Sequence, residues 1–274
     1  MKFLFLVLIL AAVYFSFRGS IFNKPVPDVV ELPEDVKESI KNVKAQKSMR
    51  VPILLYHYVE YVKDEKDTIR KSLNIEPHIL DAQIKTLKEA GYQFLTIVDL
   101  VNALEDKIKV SSKNVILTFD DGYKDFYTDV FPIVKKNGVK AVIFIVPAFL
   151  DKPNNLSTLE LKEIDKSGLI EIGAHTMNHI YLKGQSRERV QYEVSESKKY
   201  LEKLLGHRVV SFAYPYGAFD NQTINIVKNA GFKSAVSTVS GFFAQDINQL
   251  FLYRMRPGYK TGGELLNYLE ETAK

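Results

Sequence analysis

The 274-residue chain contains no cysteine. Disulfides, thiolate metal ligands, cysteine nucleophiles and a lipid-bearing cysteine anchor are excluded, so a bound metal has only His, Asp and Glu to hold it. Charge of one sign is also lacking, because 37 basic residues are set against 33 acidic ones. They are interspersed, without the basic, aromatic-interleaved stripe of a nucleic-acid groove, and no nucleic-acid partner is expected. Low-complexity tracts are absent, and a composition of 46% hydrophobic and 26% charged residues is that of a globular domain. Only one long apolar run occurs, Phe3 to Phe17, between Lys2 and Arg18. A charged start followed by an apolar stretch marks export or membrane insertion, and Tyr14-Phe15-Ser16 lacks the small-x-small pattern of a cleavage site. Residues 1–20 are therefore expected to be an uncleaved hydrophobic anchor. It would tie the protein to the cell membrane with its domain extracellular; the alternative is a cleaved signal and a secreted protein.

Pro25, Pro27 and Pro33 lie in a stretch of mixed charge, so residues 21–50 read as a linker with a short helix from about Glu34 to Lys47. Val51 to Tyr58 then reads as a buried strand carrying His57 near its end, and Tyr61 to Lys71 as a loop. From Pro77 onward a helix-like pattern repeatedly ends in glycine and gives way to an apolar run, at Gly91, Gly138, Gly168, Gly206 and Gly231. Ser157-Thr158-Leu159-Glu160 has the form of a capping box, and Asp220 that of an N-cap. Such alternation implies an α/β domain over residues 51–274, a parallel sheet or barrel with helices outside.

Three apolar runs end in residues that can do chemistry. Val115 to Phe119 ends in Asp120-Asp121-Gly122, where two adjacent carboxylates repel unless a cation takes one and leaves the other as a base. A helix cap beside a solvated aspartate accounts for the pair equally well. Ile170 to Ala174 ends in His175-Thr176-Met177-Asn178-His179. That spacing puts two imidazoles on one face of a turn and, with one aspartate, makes a two-histidine, one-carboxylate metal site; ordinary packing histidines are the alternative. Val209 to Ala213 ends in Tyr214-Pro215-Tyr216-Gly217, an irregular loop able to aim a backbone N–H at a developing oxyanion or to present an aromatic wall to a sugar, or simply a Pro-Gly turn. In a parallel α/β sheet all three strand ends fall on one edge, where ligands bind.

This combination resembles the polysaccharide deacetylases of carbohydrate esterase family four, the NodB-homology domain. Thr118-Phe119-Asp120-Asp121-Gly122 matches the family's first motif and His175-Thr176-Met177-Asn178-His179 its second. The resemblance implies an irregular (β/α) barrel. It also implies Asp120 as catalytic base, Asp121, His175 and His179 as ligands of one divalent metal ion, usually zinc, and Tyr216 as donor of an oxyanion-stabilising N–H. Three features depart from the pattern. Ala213 stands where the third motif has its arginine, the chain has no tryptophan for the fourth motif, and no leucine-x-leucine-histidine occurs near the C-terminus. Leu54-Leu55-Tyr56-His57 has that last pattern on the first strand instead, similar to the permuted layout of the poly-β-1,6-N-acetylglucosamine deacetylases, which makes His57 the candidate acid. Arg254 or Arg256 is the candidate replacement for the arginine. The implied function is removal of N-acetyl groups from an N-acetylglucosamine polymer at the cell envelope. An O-acetyl esterase acting on a glycan such as xylan and a non-catalytic glycan-binding domain are the alternatives.

Overall fold

Asn114–Phe119 is buried at every position, as a strand covered on both faces must be. In the computed structural model, which describes residues 30–64 and 66–271, this strand belongs to an eight-stranded sheet. We number its strands β1 (Ile53–Tyr56), β2 (Gln93–Phe94), β3 (Asn114–Phe119), β4 (Ala141–Ile145), β5 (Ile170–Ala174), β6 (Ser211–Ala213), β7 (Ser234–Ser240) and β8 (Leu252–Arg254). All pair in parallel, in the order β8-β7-β6-β5-β4-β3-β1. Short β2 pairs with Asn114 and Val115 on the edge of β3 whose other half is taken by β1. The two ends of the sheet meet just past β8. Met255 N–H donates to the Ile53 carbonyl at 2.8 Å, and Leu55 N–H donates to the Met255 carbonyl at 2.8 Å. The expected irregular barrel is therefore present and nearly closed.

Strand side chains alternate between two cores, because successive Cβ atoms point to opposite faces. Ile53, Ile116, Val142, Phe144 and Leu252 fill the barrel interior. Leu54, Val115, Leu117 and Ile143 face the outer helices, for example Leu80, Ile84 and Leu87 of Pro77–Glu89. Helix Ile97–Leu104 packs Ile97, Leu100 and Leu104 into the inner core. Its Val98 N–H donates to Glu171 near the start of β5, so this helix seals the end of the barrel away from the strands' carboxyl ends.

The glycines expected to end helices all have positive φ. Ser157 closes the expected capping box, and Asp220 is the expected N-cap and closes a box as well. Strand ends are shorter than read from sequence: β1 stops before His57, and β6 begins at Ser211. The stretch expected as a loop runs into helix Thr68–Leu73, which starts because the Asp67 carboxylate accepts the Arg70 N–H. Residues 30–50 lie along the barrel. Helix Glu34–Ile40 meets helix Asn221–Asn229 through Asp35, which accepts from Asn221 at 2.8 Å, and Ser48–Arg50 pairs with Phe243–Gln245.

The hydrophobic anchor expected over residues 1–20 lies outside the described residues. Among the described residues no helix is long and apolar enough to cross a membrane. The longest, Arg187–Leu205, buries one face through Val190, Val194 and Leu201 and carries charges on the rest, as an amphipathic helix on a globular core does. A span requires about 20 predominantly apolar residues instead. Within the described residues this corrects the expectation of an anchor: none is found there, and a membrane partner and a place at the cell membrane with the domain outside, which depended on it, are left without support.

Candidate active site

The carboxyl ends of β3, β5 and β6 meet at one mouth of the barrel, and Asp120 is the first residue past β3. Its N–H continues the ladder by donating to the Tyr56 carbonyl at 3.1 Å. Its carboxylate is gripped in bidentate fashion by Arg254, with Nη1 2.8 Å from Oδ1 and Nη2 2.7 Å from Oδ2. Arg254 is itself fixed, since Nε donates to the Ser237 carbonyl at 2.7 Å and Nη1 to Thr118 Oγ1 at 3.1 Å. Both partners are buried. Burial alone would raise the Asp120 pKa; the guanidinium more than reverses this and holds the group below the ordinary carboxylate range. Asp120 is thus ionised at neutral pH and able only to accept protons. The arginine missing at the end of β6, where Ala213 stands, has its counterpart on the last strand, at Arg254. Arg256 makes no ion pair with Asp120 at salt-bridge distance among the described residues.

Asp121 turns away with φ 76°. Its Oδ1 lies 3.0 Å from His179 Nε2 and 3.4 Å from His175 Nε2, and the three ligand atoms all fall within 4.8 Å of one another. His175 Nδ1 sits 2.7 Å from the Ala213 carbonyl. A carbonyl only accepts, so Nδ1 carries the proton and Nε2 presents a lone pair to the cluster. Asp121 Oδ1 is buried with no hydrogen-bond partner. Converging lone pairs and an orphaned carboxylate oxygen in a buried spot call for a cation, and a hard or borderline divalent ion fits this N₂O donor set. Without a cation, burial would lower His175, but Asp121 raises it; the same contacts hold Asp121 well below its usual range despite its burial.

Tyr216 follows β6 within Pro215–Gly217, at φ 58°. The residue is 47% exposed, and its ring stands 4.7 Å from that of His179, one wall of the mouth. Gly217 pins this turn. At φ 64° a Cβ would come 1.8 Å from Thr238 Oγ1 on β7. Gly217→Ala is expected to lower stability by about 1–3 kcal/mol, the usual cost of overpacking, and to lower kcat/KM by displacing Tyr216, while metal content stays unchanged. Thermal melts and metal analysis of the variant check this.

His57 is half-buried just past β1, and the register that sets Tyr56 beside Phe119 places it alongside Asp120. Burial pushes its pKa down to about 4, against the opposing pull of Asp120 and Asp121. The imidazole is therefore neutral at pH 7 in the free protein. His78 and His207 lie elsewhere, with half-exposed side chains beside Glu76 and Asp165.

Of the seven described non-glycine residues with positive φ, Asp121, Thr176, His179 and Tyr216 belong to this site. Such conformations persist only where the surroundings over-determine them, and they concentrate at functional sites. Sequence reasoning did not find Glu193, which grips the 175–179 loop from helix Arg187–Leu205, nor Asp125, whose carboxylate accepts the Val59 N–H and is pushed by burial to about 6. Both are acids in charged stretches, and nothing local separates them from solvated neighbours.

A parallel barrel with a buried two-histidine, one-carboxylate site at its mouth, beside an arginine-paired aspartate, defines a metal-dependent hydrolase. Comparison with known proteins names the family. The polysaccharide deacetylase pattern matches residues 107–235. YxkH of Bacillus subtilis (strain 168), which bears the polysaccharide deacetylase name, is 30% identical over 250 residues, 90% of this chain and 86% of its own. The poly-β-1,6-N-acetyl-D-glucosamine N-deacetylase of Staphylococcus aureus is 27% identical over 214 residues, 73% of each chain. The deacetylase PplD of Streptococcus pyogenes, solved with acetate, superposes with a TM-score of 0.75 at 31% identity, covering 81% of this chain and 99% of PplD. The chain belongs to the polysaccharide deacetylase family, and its Asp121, His175 and His179 form the metal-binding triad of a metal-dependent deacetylase. These likenesses place it no nearer to the poly-β-1,6-N-acetylglucosamine enzymes than to PplD, so the permuted layout alone does not choose between them.

Proposed function

We propose that the enzyme removes N-acetyl groups from an N-acetylglucosamine-containing polysaccharide. The observation that carries this reading is the buried triad directly beside Asp120, a carboxylate locked by Arg254. A divalent ion on Asp121, His175 and His179, zinc in our reading, would supply the Lewis acidity that acidifies water and polarises the acetamide carbonyl. Asp120 accepts the proton of the attacking water, its oxygens aimed by the two Arg254 bonds. The Tyr216 N–H donates to the carbonyl oxygen as negative charge builds there, and the Tyr216 ring walls the sugar. His57 delivers a proton to the departing nitrogen. Being neutral beforehand, it must first receive that proton within the cycle, and Asp120 alongside it is the group holding one after water is activated.

One observation favours a second reading. A neutral His57 is a weak acid catalyst, and an alkoxide leaves an ester with far less protonation than an amine needs to leave an amide, which suits an O-acetyl esterase. Purified protein should contain one divalent ion by elemental analysis and should release acetate together with a free amine from at least one of β-1,6-linked N-acetylglucosamine oligomers, chitin oligomers and peptidoglycan. Acetate release from acetylated xylan, with no amine formed on any of the three, would replace the deacetylase reading by the esterase one.

A further inference from the structure

The loop that carries both histidine ligands is folded against its own preferences. Thr176 and His179 have φ 60° and 56°, and for a β-branched residue such as Thr176 that region is a genuine outlier. Each such residue is strained and reverts unless its surroundings hold it. Neither strand nor helix contains the loop, since β5 ends at Ala174. Part of the grip is internal, as Thr176 Oγ1 accepts the His179 N–H at 3.0 Å.

Three further hydrogen bonds end on a single residue of another element. Glu193 of helix Arg187–Leu205 accepts the Met177 N–H on its main-chain carbonyl at 3.0 Å, the Asn178 N–H on Oε2 at 2.8 Å and Asn178 Nδ2 on Oε1 at 2.9 Å. Its side chain is wholly buried, and Arg189 Nη2 meets Oε1 at 2.8 Å. A carboxylate is costly to bury unless its oxygens are filled by donors. Here the donors are Arg189 and Asn178, the residue next to His179, so the buried carboxylate holds the ligand loop.

We infer that Glu193 is the positioning residue of the metal site: by clamping Asn178 through backbone and side chain together, it keeps His179 in its strained conformation and sets the affinity for the divalent ion. The inference rests on Asp121, His175 and His179 being the ligands. In Glu193→Gln one carboxylate oxygen becomes an NH₂ that opposes a donor already there. His179 is then free to relax to negative φ, and its imidazole leaves the position that completes the triad.

The test compares wild type, Glu193→Gln, Glu193→Ala and Asn178→Ala, each checked for a cooperative metal-free melt. Zinc dissociation constants come from chelator competition, and the visible absorption of the Co²⁺-loaded proteins reports coordination geometry. Loss of an outer-shell partner typically weakens metal binding about 10- to 100-fold. That loss is expected for Glu193→Gln, with an altered Co²⁺ spectrum, and a smaller loss in the same direction for Asn178→Ala. If Glu193→Ala fails to fold, Asn178→Ala, which leaves the Glu193–Arg189 pair in place, decides. Variants that fold and bind zinc as wild type does, with an unchanged Co²⁺ spectrum, overturn the inference and leave Glu193 a helix-to-loop anchor. Wild type that binds neither ion overturns the ligand assignment itself.

Discussion

Asparagine in place of Asp120 is expected to lower kcat/KM for deacetylation by roughly 10²- to 10⁴-fold, the usual worth of a positioned proton acceptor, with metal content unchanged. The amide keeps the shape and one acceptor for Arg254, yet it cannot take the proton of water. A second consequence distinguishes this residue from a bystander. Asp120 and Arg254 are a buried ion pair, and removing one partner of such a pair strands the other charge at a cost of about 3–5 kcal/mol. Arg254→Met should therefore destabilise strongly, whereas the doubly neutral Asp120→Asn, Arg254→Met protein should recover part of the loss. The pair also has a pH signature. Arg254 holds the folded-state pKa of Asp120 below its unfolded value. Its stabilising contribution is complete above about pH 4, the unfolded aspartate value, and is lost as pH falls through the folded-state value. Asp120→Asn should accordingly flatten the acid side of the Tm-against-pH curve. Retention of wild-type activity by Asp120→Asn would remove it from the base role.

His57→Ala is expected to split two reactions. Amide hydrolysis should fall by about 10²-fold or more, while hydrolysis of an activated acetyl ester, whose leaving group departs unaided, should fall far less. Because burial pushes the imidazole to about 4, its charge does not change near neutrality. The loss should thus be the same at about pH 6 and about pH 8. The linked stability effect runs opposite to that of Asp120: an unfolded histidine takes up its proton near pH 6.5, whereas the folded one resists until about 4. Wild type should lose stability over that interval as pH falls, and His57→Ala should lose less. Equal falls in amide and activated-ester rates would leave His57 only a wall of the site.

The ligand triad was legible because its parts are local. Asp121 and the His175/His179 pair each follow an apolar strand within a few residues, and a parallel α/β fold sends such strand ends to one edge. Helix starts at Ser157 and Asp220 and the glycine-ended helices were readable for the same reason, since capping is settled within about four residues of chain.

What the sequence by itself determined, then, was the α/β alternation, the shared edge and the donor types placed there, because each depends on neighbours a few residues apart. Tertiary structure alone decided which arginine meets Asp120, for Arg254 lies 134 residues away and only closure of the barrel next to β1 brings it inside. It likewise decided the charge state of His57, which follows from burial rather than residue type, and the role of Glu193, one acid in a charged helix until the fold turns its face inward onto Asn178. Hydrophobic spacing along one element says which face is buried. What that face is buried against, and hence how far a buried charge is compensated, is a property of the packed whole.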